Sequence, residues 1–149
     1  MKKILLTLAI IGTTAFTQAL FSAQNEGVPA FHDKAPAKGQ ALPSVWTEKQ
    51  LADNGFTAPV QKESYKAVAR MPGVMYQLPC YCFCDRNHGH QSLHSCFESN
   101  HGANCGICMG EALYAYKMTK KGWTPKMIRE GIVRGDYKQM DLQHPEAVI

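Results

Sequence analysis

The sequence predicts a small, mainly α-helical domain in which a cysteine-rich extended segment packs against two or three helices. Three observations carry this expectation. The chain has 149 residues, room for one domain. Its apolar residues recur at steps of three and four, most regularly over residues 105–121. It has no internal repeat and no alternation of strand and helix. The core of such a domain is modest, so metal or covalent cross-links would support its folding.

The amino terminus stands apart from the domain. Met1, Lys2 and Lys3 form a positive start, residues 4–11 are apolar and uncharged, and small and polar residues follow. This is the layout of a secretory signal, read as residues 1–23. The run is shorter than the about 20 apolar residues of a membrane span, so no stable span is expected once the signal is cleaved. The signal carries Lys2 and Lys3 and no acid, so without it the formal charge falls from +4 to +2. A nearly neutral chain with no basic stripe argues against nucleic acid as a partner. Residues 24–43, rich in Ala, Gly, Pro and Gln, read as a flexible lead-in. The folded domain is read as residues 44–137, with a tail over 138–149.

Within the domain, residues 45–54 hold one short helix, with Thr47 as its cap and Gln50 three residues on. Residues 64–71 are a second helix, carrying Tyr65, Val68 and Met71 on one face and stopped by Pro72 and Gly73. A brief extended run over 74–78 leads into Pro79. Residues 85–89 read as a turn. Residues 91–100 read as a short helix with Leu93, Cys96 and Phe97 together, broken by residues 101–104. The best helix follows at 105–121, with Cys105, Cys108, Met109, Ala112, Leu113 and Tyr116 in one stripe and Gly122 at its end. Thr124 and Pro125 open the last helix, whose apolar residues are Met127, Ile128, Ile132 and Val133.

The chemistry concentrates in residues 79–108. Pro79-Cys80-Tyr81-Cys82-Phe83-Cys84 places three thiols at alternate positions, and Cys96, Cys105 and Cys108 complete the set. In an exported protein six cysteines suggest disulfides first. Their crowding argues otherwise, because staples are usually spread to close long loops. In an extended strand, residues i and i+2 lie about 6.5–7 Å apart. Two sulfurs on one ion are at most about 4.6 Å apart. A straight run therefore cannot place neighbouring thiols on one metal, and their partners are expected from elsewhere. Cys105 and Cys108 form a C-x-x-C at a helix start, where free amides favour the thiolate. His90, His94 and His101 add nitrogen donors. Glu111 is read as a solvated helix position or a group behind the site. No paired carboxylates, phosphate loop or serine–histidine motif is present.

These residues carry a resemblance. Pro-Cys-Tyr-Cys-x-Cys, then Gly89-His90-x-Ser92-Leu93-x-x-Cys96-Phe97, His101-Gly102 and Cys105-x-x-Cys108-x-x-Glu111 resemble the PCYCGC-motif (CYCXC) family of exported bacterial proteins. The resemblance covers roughly residues 65–137. It implies an exported bacterial setting and leaves the activity open. Some members are described as selenoproteins, which implies a chemically active chalcogen position. Many relatives have Gly where this chain has Phe83, and many look like lipoproteins. This chain has no lipobox cysteine, so a periplasmic or secreted location without a lipid anchor is expected. The functional expectation is a metal-binding protein for copper(I) or zinc, acting in carriage or protection rather than catalysis. Its ligands would be Cys82, Cys84, Cys105 and Cys108, with Cys80, Cys96 and His90 next. The alternatives are a thiol–disulfide redox protein using the C-x-x-C, or a disulfide-stapled interaction module.

Overall fold

The computed structural model describes residues 27–149, and the expected secretory signal lies outside them. Helix α1 (Glu48–Asp53) starts on a reciprocal cap. Thr47 Oγ1 accepts the Gln50 N–H at 3.2 Å, and Gln50 Oε1 accepts the Thr47 N–H at 2.8 Å. Helix α2 (Pro59–Arg70) begins earlier than expected. Pro59 suits a first helical position, and Gln61 Oε1 accepts the Ala58 N–H at 3.0 Å. Pro72 ends α2 but also opens a single turn, α3 (Pro72–Met75), in place of part of the extended run expected from residue 74. Helix α4 (Cys84–His88) replaces the turn at 85–89. Two 3-10 turns, His94–Phe97 and Gly102–Asn104, carry the chain to the long helix α5 (Gly106–Lys120). Thr124 then caps α6 (Pro125–Arg134), its Oγ1 accepting the Met127 N–H at 3.3 Å. Two short 3-10 turns, Asp136–Gln139 and Pro145–Ala147, complete the tail. Among the described residues there is no strand, and no helix is long and apolar enough to cross a membrane.

Helix α5 lies at the centre. Every residue from Gly110 to Tyr116 is buried, as expected of a helix packed on more than one side. Helix α2 covers it with Tyr65, Ala67 and Val68, and α6 with Ile128 and Ile132. The stripe of α6 is narrower than its sequence suggests. Met127 and Val133 are 43% and 60% exposed, since only the Ile128–Ile132 side turns inward.

Helix α2 also holds the loop that carries Cys96 and His101. Tyr65 Oη donates to the Ser99 carbonyl and accepts the Ala103 N–H, while its ring meets Phe97 edge to face at 4.8 Å. Gln61 Nε2 donates to the Ala103 carbonyl at 3.0 Å. On the other side, the Leu93 N–H donates to the Leu78 carbonyl at 2.7 Å, fastening the chain just before Pro79. The segment before α1 also makes contacts. The Ala30 N–H donates to Asp85 Oδ2, and His32 stacks on Tyr76 at 3.7 Å.

Candidate metal centre

The cysteine segment packs against the helices through a turn. The Phe83 N–H donates to the Cys80 carbonyl at 3.1 Å, and Phe83 itself has φ +57° and ψ +32°. It is the one non-glycine residue with positive φ among those described. A side chain in this left-handed region costs roughly 1–2 kcal/mol. The turn through Tyr81 and Cys82 brings the Sγ atoms of Cys80 and Cys82 to 3.3 Å, about half their separation in a straight strand, and the left-handed Phe83 sets where Cys84 follows. Neighbouring thiols of the run therefore do converge, against the expectation for an extended chain.

The other thiols close around this turn. Cys108, one helical turn into α5, lies 3.3 Å from Cys80 and 3.6 Å from Cys82. Cys84, at the start of α4, lies 3.2 Å from Cys96. His90 Nδ1 stands 3.2 Å from Cys84 and 3.4 Å from Cys96, and His101 Nε2 stands 3.8 Å from Cys82. Two sets of four donors each fall within a mutual distance of 4.8 Å: Cys80, Cys82, Cys96 and Cys108, and Cys82, Cys84, Cys96 and His101. Either set could hold a metal ion. All six cysteines are free thiols, and their closest sulfur contact of 3.2 Å is far longer than the about 2.05 Å of a disulfide.

Each residue named from the sequence has a place in this geometry. Cys80, Cys84, Cys96 and Cys108 are buried, Cys82 and His90 half-buried. Cys105 forms the N-cap of α5, half-exposed and outside both four-donor sets, with its thiol interacting with Cys108 and Cys82. His94, four residues from His90, turns away: it is buried, with Nδ1 on Glu98 at 2.9 Å. His88 is exposed, its ring edge-on to His101 at 4.7 Å.

Thiol contacts divide the cysteines electrostatically. Donation from Cys105, and then from Cys108 and Cys80, holds the Cys82 thiol far below its ordinary range. Contacts led by Cys108 bring Cys96 down to about 3. The contacting thiols Cys80, Cys84 and Cys108 are pushed up, chiefly by Cys108, Cys80 and Cys105 respectively. His90 is raised by its contact with Cys96. The cluster thus favours negative charge at Cys82 and Cys96, the form that binds metal.

Glu111 is the residue the sequence reading undervalued. It is fully buried on α5, and its Oε1 accepts the Tyr81 N–H at 3.0 Å, so it anchors the turn between Cys80 and Cys82. Burial pushes its carboxyl up to about 8. The signal was present: Glu111 follows Cys108 by three residues, hence shares its helix face.

A family model described as a protein of unknown function with PCYCGC motif matches residues 51–145. The chain belongs to this family. The matched span contains all six cysteines, His90, His101 and Glu111, so the whole cluster falls inside the PCYCGC region. The family motif has Gly at the position of Phe83, the residue held in the left-handed conformation. No curated protein and no solved structure matches the chain.

Proposed function

We propose that this is an exported metal-binding protein that carries or sequesters a thiophilic ion, copper(I) or zinc. One observation carries the reading: four sulfurs from three separate parts of the chain meet within 4.8 Å. Soft thiolates select these ions over hard ones such as magnesium or calcium. Cys80, Cys82, Cys96 and Cys108 are the favoured ligands by geometry. Cys84 and His90 stand beside them, and Cys105 sits at the rim. Because the thiols must lose protons to bind, metal uptake releases protons and contributes to folding stability. Release into the periplasm or outside the cell fits the amino-terminal signal.

The test is to purify the full chain anaerobically, measure bound copper and zinc by elemental analysis, and count free thiols by mass. Stoichiometric metal, lost in Cys108→Ser and retained in Cys105→Ser, is the expected result. No metal, with all six cysteines in disulfides that glutathione leaves intact, overturns it.

A second reading has its own support. Cys105 is half-exposed at the N-cap of α5, three residues before the buried Cys108. Thiol–disulfide exchange through Cys105 and Cys108 would form a disulfide between them while reducing a partner disulfide to two thiols: one thiolate attacks the partner, and the other attacks the mixed disulfide and releases it. That reading requires a Cys105–Cys108 disulfide that opens under mild reduction, and loss of exchange activity in Cys105→Ser.

A further inference from the structure

We propose that the cluster is binuclear, holding two ions side by side with the thiolates of Cys82 and Cys96 bridging them. This rests on the metal reading above. The argument begins with counting. The two four-donor sets share Cys82 and Cys96 and no other atom. Six donors complete two four-coordinate sites only when two of the six serve both ions. The two shared donors are both sulfur, and a thiolate has the lone pairs to bind two ions, whereas each imidazole nitrogen binds one.

The unshared donors come from different elements. Cys80 and Cys108, 3.3 Å apart, approach from the turn and from α5. Cys84 comes from α4, and His101 from the segment that Tyr65 and Gln61 hold. His90 Nδ1, 3.2 Å from Cys84 and 3.4 Å from Cys96, adds a spare nitrogen beside the second set. Mutual distances within 4.8 Å already match the about 4.6 Å limit for two sulfurs on one ion, so adjustments of a few tenths of an ångström complete either site.

The experiment is anaerobic native mass spectrometry of the full chain titrated with zinc(II), paired with electron paramagnetic resonance of the chain loaded with cobalt(II). Two zinc ions per chain are expected at saturation, and the cobalt signal per ion should collapse as the second ion binds, because a sulfur bridge couples the two spins. The double variant His90→Ala/His101→Ala, which removes both nitrogens beside the second set, should fall to one ion and recover an uncoupled cobalt signal. Saturation at one zinc overturns the bridge while leaving the metal reading intact. Two ions without spin coupling also overturn it, since they occupy separate sites. No zinc at all removes the metal reading itself. These wild-type outcomes decide the matter even if the double variant fails to fold, which circular dichroism would reveal.

Discussion

Around Leu113, Ile128 and Ile132 the interior is hydrocarbon; around Cys96 and Cys108, no less buried, it is sulfur. The hydrocarbon region is built from capped helices and gains its stability from apolar area removed from water. The sulfur region is built from turns, one strained residue and short helical pieces. Its atoms are packed as a core but remain able to ionise. The lesson is that burial alone does not define a structural core: one half is packed hydrocarbon, and the other is a buried set of ionisable thiols that could hold a metal ion.

The largest effect that sharpens this contrast should come from Leu113→Ala. Leu113 is fully buried on α5, and such truncations cost about 2–5 kcal/mol. Urea unfolding should show that loss, while metal bound per folded chain stays at the wild-type value. A parallel loss of metal would mean the two regions are not separable.

Two glycines offer a matched pair. A Cβ on Gly102 would lie 2.9 Å from the Phe97 ring and 3.0 Å from the Cys96 carbonyl oxygen; on Gly131 it would lie 1.9 Å from Tyr114 Oη. Both alanine variants should lose about 1–3 kcal/mol through overpacking. Only Gly102→Ala should also weaken metal binding, because its clash displaces the backbone of Cys96. A competition titration with a chromophoric chelator would measure this, and equal affinities for the two variants would count against the contrast.

Glu111 couples the regions, and pH reveals it. Its carboxyl is raised from an ordinary value near 4.5 to about 8 in the folded chain. The folded state therefore holds a proton that the unfolded state has lost, and stability from this group falls as pH rises from about 4.5 to about 8. Cys82 and Cys96, held low, act in the opposite sense, so wild type alone does not isolate it. The difference between Glu111→Gln and wild type does. In metal-free protein it should shift toward the glutamine variant by on the order of 1–3 kcal/mol between pH 5 and pH 8. A difference that stays flat across that range would show that Glu111 titrates normally.

The two regions were not equally legible in the sequence. The caps at Thr47 and Thr124, the long helix ending near Gly122 and the mainly helical class follow from local rules, because propensity, capping and period agree there. The cysteine region resisted. Its convergence depends on Phe83 adopting a conformation that its residue type disfavours, so propensity points to the wrong backbone. The link from Tyr81 to Glu111 spans thirty positions and leaves no periodic trace. Cys105 shows the same limit. Its C-x-x-C spacing alone does not tell that it caps α5 half-exposed while Cys108, three residues on, is buried in a four-donor set.

The smallest effect addresses that strained residue. Phe83→Ala and Phe83→Gly both remove the ring, and with it the Arg86 guanidinium 4.2 Å above it and the edge contact with Tyr81. What separates them is only the cost of a Cβ at φ +57°. Glycine carries no such cost, so Phe83→Gly should be more stable than Phe83→Ala by about 1 kcal/mol. In a helix interior such as α5 the order reverses, with alanine ahead by a similar amount. Thermal unfolding of the pair, beside an alanine–glycine pair at exposed Lys117 in α5, would test both signs at once. If alanine were the more stable residue at both positions, the left-handed bend would not exist in solution. Cys82 and Cys84, the residues on either side of it, would then lie too far apart to share an ion.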